Sequence, residues 1–146
     1  MEKIKFEIPP NEWHGYTAEF LACREEGGGL YSVQVSPIYV KGISKGDIIE
    51  CDTAVEGRIF TKIARKSGNW TYRVIVNKAP GFENVQDFLT GIFDFVEIEE
   101  DVSEGFILFS LCVRPEAVNK VYEVLERFYL EHKLDFEEAN VGAPPT

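Results

Sequence analysis

Apolar and polar residues alternate with a period of two along much of the first 69 residues, a pattern that predicts short β-strands. Ile4, Phe6 and Ile8 alternate with charged residues, as in a strand that buries one face. The consecutive glycines 27–29 predict a hairpin turn, because glycine adopts positive φ at little cost. Five short strands joined by tight turns indicate a small, strongly bent β-sheet or a barrel. The predicted strands cover residues 3–8, 16–25, 30–35, 48–52 and 58–65.

The spacing of apolar residues changes in the second half of the chain. Residues 70–77 alternate as a strand, and apolar residues from Val85 to Phe93 then recur at the spacing of one helix face. A second helical stripe runs from Val118 to Tyr129. The predicted order is therefore strand, helix, strand, strand, helix, strand. The three further strands are predicted at residues 95–99, 106–113 and 134–139.

This order is the βαββαβ pattern of ferredoxin-like units, in which we expect the strand order 4-1-3-2 and both helices on one face. The third strand, Phe106–Val113, is almost entirely apolar, as expected of an interior strand. We therefore predict an α+β fold in which a small β-sheet or barrel precedes a ferredoxin-like unit. The predicted organisation is a β-rich subdomain at residues 1–69, a ferredoxin-like subdomain at 70–141 and a disordered tail at 142–146.

The net charge of −10 is concentrated in the second half, since residues 1–69 carry a net charge of −1 and residues 70–146 carry −9. An acidic surface repels nucleic-acid phosphates and anionic lipids and attracts basic proteins, although negative charge also simply keeps a protein soluble. The densest group of carboxylates is the candidate site for a basic protein partner. The alternative is a charged strand edge that blocks sheet-to-sheet association. This acidic cluster consists of Glu97, Glu99, Glu100, Asp101 and Glu104.

No stretch of the sequence approaches the roughly 20 apolar residues that span a bilayer, and the first residues lack the apolar core of a signal peptide. We therefore expect a cytoplasmic protein. The use of cysteine supports this expectation. The chain has three cysteines, Cys23, Cys51 and Cys112, which are far apart and form no CxxC pair. Neither a disulfide framework nor a zinc site is indicated, and we expect no metal or other cofactor.

Familiar catalytic motifs are missing from the sequence, among them the nucleophile elbow, the metalloprotease helix, the phosphate-binding loop and the dinucleotide-binding loop. Histidine, the residue that most often acts as a general base, occurs only as His14 and His132. The sequence therefore favours a protein without catalytic activity. An enzyme that uses carboxylates or a tyrosine stays open.

One segment that combines cations with aromatic residues, residues 58–73, interrupts the acidic trend. Such a combination can hold nucleic acid. However, the predicted third strand lacks the basic and glycine positions of RNA-binding sheets. We therefore expect no nucleic-acid partner. The alternative role of the segment is a junction between subdomains in which Trp70 is buried.

Three motifs resemble an uncharacterised bacterial family of a domain of unknown function. They are Pro37-Ile38-Tyr39, Gly42-Ile43-Ser44-Lys45-Gly46-Asp47 and the segment from Ser67-Gly68 to Arg73. The resemblance covers residues 1–140 and implies no established activity. Aromatic and polar residues of these motifs are the candidates for a ligand site at the junction of the subdomains. These candidates are Tyr39, Asp47, Ser67, Trp70 and Arg73.

Two functions fit these observations. The first is a non-catalytic binding protein, most concretely an acidic immunity-type inhibitor that binds a basic protein such as a toxin nuclease. The second is a small-molecule-binding or regulatory domain whose ligand site lies between the two subdomains. Neither function involves a membrane, and we expect the chain to be a monomer or a homodimer.

Overall fold

Nine β-strands in two sheets dominate the computed structural model, which describes residues 1–77, 91–103 and 105–145. One complete α-helix, α1 (Val118–Leu130), lies in these residues, and no helix among them is long and apolar enough to cross a bilayer. Two 3-10 turns lie at Phe93–Phe95 and Pro115–Ala117. The strands are β1 (Glu2–Glu7), β2 (Ala18–Gly27), β3 (Leu30–Val33), β4 (Ile48–Ala54), β5 (Gly57–Arg65), β6 (Trp70–Asn77), β7 (Val96–Val102), β8 (Phe106–Val113) and β9 (Asp135–Asn140).

Strands β1 to β5 close into a barrel in which consecutive strands are antiparallel. The barrel closes where β1 and β5 pair in parallel, at Lys5 and Ile59. Successive side chains of a strand point to opposite faces, so alternate residues fill the interior. The first half of the chain, expected to form a small sheet or a barrel, is thus a closed barrel. Its buried apolar residues are Ile4, Phe6, Ile8, Leu21, Cys23, Tyr31, Val33, Val40, Ile43 and Ile49.

The second sheet has four antiparallel strands in the order β7-β8-β6-β9. β8 is an interior strand, as its apolar composition predicts, and β7 and β9 are the edges. Alternate residues of β6 and β8, beginning with the paired Trp70 and Val113, share the face that packs against α1. The helix turns its apolar stripe toward this face. Its buried residues are Val118, Val121, Val124, Leu125 and Phe128.

The opposite face of the second sheet meets the barrel and its loops through buried polar side chains. Asn140 Nδ2 donates a hydrogen bond to Ser44 Oγ at 2.8 Å, and the hydroxyl of Ser44 also bonds to that of Thr71. The hydroxyl oxygens of Ser36 and Ser110 lie 2.6 Å apart. All five residues are buried. Buried polar groups that are fully hydrogen-bonded favour one arrangement over its neighbours, so this contact holds the barrel and the sheet in register.

The predicted ferredoxin-like βαββαβ unit is wrong. The described chain is mostly β, with one complete helix and two antiparallel sheets. Most of the predicted first helix lies outside the described residues; at its end, Gly91 and Ile92 are helical and Phe93–Phe95 forms a 3-10 turn. The prediction treated the second half as a separate ferredoxin-like subdomain. The face of its sheet opposite α1 instead packs on the barrel, and the two sheets together form a mostly β structure.

The first two residues of the predicted tail, 142 and 143, contact the second sheet and the loop before it. Ala143 N donates to the carbonyl oxygen of Gly68 at 2.9 Å, and Trp70 Nε1 donates to the carbonyl oxygen of Ala143 at 2.6 Å. A Cβ atom at Gly142 would lie 2.2 Å from Gly68 O, so only glycine permits this approach. Residues 142 and 143 therefore belong to the folded structure.

Candidate functional site

The loop between β3 and β4 is held at the junction of the barrel and the sheet by two opposite charges. The Glu19 carboxylate, on β2, accepts the backbone N–H groups of Ile38, Tyr39 and Val40, each at 2.9 Å. From the other side, Arg73 Nη1 on β6 donates to the carbonyl oxygens of Ile38 and Tyr39 at 3.1 and 2.9 Å. Hydrogen bonds to charged groups are the stronger kind, so this loop is firmly positioned.

Arg73 has a structural role rather than a free binding role. Its side chain is only 2% exposed, and its Nε and Nη2 atoms donate to the carboxylate of Glu137 on β9. Every guanidinium nitrogen therefore has a protein acceptor. Glu137 is shared further, since its Oε2 lies 3.6 Å from Lys41 Nζ. The predicted ligand residue Arg73 thus fixes the geometry of the junction, with four of its five N–H donors bonded to the protein.

Two other candidates of the predicted junction site, Asp47 and Trp70, are also hydrogen-bonded within the protein. Asp47 is 1% exposed and accepts the N–H groups of Ser44 at 3.0 Å and Ser67 at 2.8 Å. Trp70 donates to the carbonyl oxygen of Ala143. Of the five predicted ligand residues, Tyr39 and Arg73 each line a cavity described below; Asp47, Ser67 and Trp70 line none of the described cavities.

Aromatic side chains from three separate segments meet beside this loop, and the sequence reading did not group them. The ring centroids of Tyr16 and Tyr39 lie 4.3 Å apart, and those of His14 and Tyr39 lie 5.0 Å apart. Trp13 meets Phe106 edge-on at 6.1 Å. The available signal was the concentration of aromatic residues in a polar loop, residues 11–17, just after two prolines. We call Trp13, His14, Tyr16, Tyr39 and Phe106 the aromatic cluster.

Two cavities adjoin the aromatic cluster and share Trp13 and Leu108 as a common wall. One has a volume of about 290 Å³ and the other about 310 Å³. Trp13 is 53% exposed and Tyr16 is 50% exposed, whereas Leu108 is fully buried beneath them. The smaller cavity is lined by Trp13, His14, Tyr16, Tyr39, Ser103, Phe106 and Leu108. The larger is lined by Trp13, Arg73, Ile75, Leu108, Asp135, Phe136 and Glu137.

His14 is held in its neutral form within the aromatic cluster. Its Nδ1 accepts the backbone N–H of Tyr16 at 3.0 Å, so the ring proton belongs on Nε2. Nε2 is buried and has no hydrogen-bond partner among the described residues. Burial, followed by the positive charge of Arg73, lowers the pKa of His14. The cluster therefore carries no positive charge from this residue near neutral pH.

Tyr39 is held in its protonated form by its environment. Its hydroxyl donates a hydrogen bond to the carboxylate of Asp101, on β7. Burial and this acidic neighbour raise the pKa of Tyr39 well above its usual range. The phenol is therefore a poor proton donor to a substrate, and its ring is fixed as a wall of the smaller cavity.

A third cavity, of about 510 Å³, lies on the other side of the junction. It contains side chains of both charges, including the ion pair of Lys45 with Glu97. Cys112 also lines it, but burial raises the pKa of this thiol to about 11, which leaves almost no thiolate at neutral pH. This cavity offers no activated nucleophile among the described residues.

The predicted acidic cluster does not form one patch. Side chains alternate along β7, so Glu97, Glu99 and Asp101 face the barrel side and Glu100 faces the helix side. Glu97 is paired with Lys45, and Asp101 accepts from Tyr39; Glu104 lies outside the described residues. The structure nowhere gathers three or more potential metal-ligating side chains in residues 1–77, 91–103 and 105–145.

Comparisons with known proteins give the fold and the family but no activity. A family model described as a domain of unknown function (DUF4265) matches residues 19–134. A solved structure, titled a novel crystal structure of a hypothetical protein from Neisseria gonorrhoeae, aligns with a TM-score of 0.77. That alignment covers 97% of this chain and 96% of the other at 18% sequence identity, which shows a shared fold alone. No curated protein matches the chain.

Proposed function

The chain belongs to the family described as a domain of unknown function (DUF4265), and we propose that it is a non-catalytic binding protein with its ligand site at the aromatic cluster. The observation that carries this proposal is the pair of cavities that share Trp13 as a wall. Each is at the lower end of the size range of small-molecule sites, and each combines apolar walls with a few polar groups. The site lies where the barrel meets the sheet, and such junctions are common ligand sites.

The rigidity of the surrounding loop supports this proposal. A binding site gains affinity when its walls are already in place, because less conformational freedom is lost on binding. Tyr39 is fixed through its backbone by Glu19 and Arg73 and through its hydroxyl by Asp101. Unlike Tyr39, Trp13 is exposed, and about half of its surface is available for contact with a ligand.

The chemistry of the cluster supports binding rather than catalysis. A general base near neutral pH needs a pKa close to that pH and a reachable lone pair. The lone pair of His14 Nδ1 is occupied by the Tyr16 N–H, and burial lowers the pKa of this histidine. The hydroxyl of Tyr39 is committed to Asp101. Neither side chain offers a proton-transfer group to a substrate in the smaller cavity.

A thermal-shift screen with a panel of metabolites tests this proposal. A ligand at about 100 times its Kd stabilises the folded state by about 2.7 kcal/mol, which raises Tm by roughly 5–10 °C for a chain of this size. We expect such a shift in the wild type and in Phe20→Ala, which removes an exposed aromatic side chain on the barrel outside the cluster. We expect it to be lost in Trp13→Ala. A shift that persists in Trp13→Ala, or a panel without any hit, contradicts the proposal.

A second candidate is an acidic inhibitor of a basic protein such as a toxin nuclease. It is favoured by Glu99 and Glu100, which are exposed on β7, an edge strand that pairs only with β8 in the described part of the chain. Complementary charge accelerates association, and salt weakens it. The test is binding to a panel of basic nucleases at low and high salt, with Glu99→Lys/Glu100→Lys as the disrupting variant. Binding that ignores both salt and the variant contradicts this candidate.

A further inference from the structure

We propose that the ligand of the aromatic cluster is a small organic cation, an alkylated ammonium whose methyl groups contact the rings of Trp13 and Tyr16. This inference rests on the proposed function and adds the chemical class of the ligand. It is carried by the aromatic faces, by their arrangement around Tyr39, and by the balance of charge around the larger cavity.

The first step is the exposure of electron-rich rings. Tryptophan and tyrosine attract cations through the negative faces of their rings, and tryptophan does so best. Trp13 and Tyr16 are each about half exposed, and both line the smaller cavity. Trp13 already takes part in one such contact, since the guanidinium carbon of Arg73 lies 5.9 Å from its ring centroid. The indole of Trp13 thus already makes one cation–π contact within the protein.

The second step concerns Tyr39, whose ring packs against that of Tyr16. Its hydroxyl donates a hydrogen bond to the Asp101 carboxylate, and this bond shifts electron density toward the phenol ring. A ring with more electron density attracts a cation more strongly. The carboxylate of Asp101 also contributes its own negative charge near the cavity wall.

The third step is the balance of charge around the larger cavity. Asp135 and Glu137 line it together with Arg73. The charge of Arg73 is offset by Glu137, and the nearby Lys41 is shared between Glu137, at 3.6 Å, and Glu12, at 3.9 Å. Asp135 makes no ion pair among the described residues, and the chain carries a net charge of −10. A cation is favoured over an anion in this setting.

A titration with choline and its uncharged isostere 3,3-dimethylbutan-1-ol, followed by calorimetry on the full chain, isolates the contribution of the charge. The two probes have nearly the same shape, so a difference between them reports the cation alone. We expect choline to bind at least about tenfold more tightly, which is the scale of a partly desolvated cation–π contact. Equal affinity for the two probes overturns the assignment of a cation but leaves the ligand site in place. If choline gives no binding signal at the highest concentration titrated, the assignment of a cation is overturned as well.

Two variants locate the binding. Trp13→Leu keeps an apolar side chain and removes the aromatic face, and we expect it to lose at least tenfold in choline affinity. Asp135→Asn changes one exposed carboxylate and leaves the fold intact, and we expect a loss of about threefold. Phe20→Leu is the matched control and should bind as the wild type does. Choline binding that is unchanged in Trp13→Leu overturns the site itself, and with it the proposed function.

Discussion

Removal of the Glu19 carboxylate is expected to release the loop that forms one wall of the proposed site. Glu19 accepts three backbone N–H groups, those of Ile38, Tyr39 and Val40, at 2.9 Å each. In Glu19→Ala all three donors lose their acceptor. With a net contribution of about 1.5 kcal/mol for each bond to a charged acceptor, the loss is about 4.5 kcal/mol in the free energy of unfolding. Glu19→Gln retains one acceptor oxygen and should cost about 2 kcal/mol.

The assay is urea denaturation of the wild type and of both variants, with Glu7→Ala as the control. Glu7 is an exposed glutamate at the end of β1, and its removal should cost less than about 0.5 kcal/mol. The order of stability should be wild type, Glu19→Gln, Glu19→Ala. Formate or acetate should restore part of the stability of Glu19→Ala, because a small carboxylate can occupy the same N–H groups. If Glu19→Ala costs no more than Glu7→Ala, the loop is not held as we describe.

Three further predictions concern other parts of the structure. Because burial lowers the pKa of His14 below the ordinary histidine value of 6.5, the unfolded chain gains a proton before the folded chain does as the pH falls. Urea unfolding should therefore show stability lost as the pH falls below about 6.5, with a smaller loss in His14→Gln. Equal losses in the two proteins contradict the assignment. Burial raises the pKa of Cys112 to about 11, so in the folded chain its thiol should react with a thiol reagent far more slowly than a free cysteine does. Fast reaction of Cys112 in the folded state refutes this. Gly46→Ala should destabilise the fold by more than Gly57→Ala. Both glycines have positive φ, but only a Cβ atom at Gly46 would meet a neighbour, the Ser67 Cβ at 3.0 Å. Equal losses of stability in thermal unfolding would show that this contact does not matter.

The strands were readable from the sequence because a period of two reports a half-buried strand directly. Ile4, Phe6 and Ile8 are all buried in the barrel, as their alternation predicts. The apolar run Phe106–Val113 forms the interior strand of the second sheet, also as predicted. The ferredoxin-like unit was wrong because periodicity shows which face of an element is buried and not what covers it. The second sheet is covered by α1 on one face and by the barrel on the other.

The candidate site was only partly readable, because it depends on contacts between distant segments. Tyr39 and Arg73 were identified from the motifs that contain them, and they do meet at the junction. Trp13 joins them only through the tertiary fold, and no local pattern reports that approach. The arrangement of the acidic cluster on the surface could not be read from the sequence for a simpler reason. Side chains alternate along β7, so a run of carboxylates in the sequence is divided between two faces.

The most direct test of the ligand site is a two-dimensional NMR spectrum of the indole N–H groups during titration with pooled metabolites that include choline. The chain contains two tryptophans, and they provide a signal and its control in one spectrum. Trp13 lies at the proposed site, whereas the Trp70 N–H is bonded to the carbonyl oxygen of Ala143. We predict a saturable shift of the Trp13 resonance and a constant Trp70 resonance. A Trp13 resonance that no pool shifts would contradict the proposal that the aromatic cluster binds a ligand.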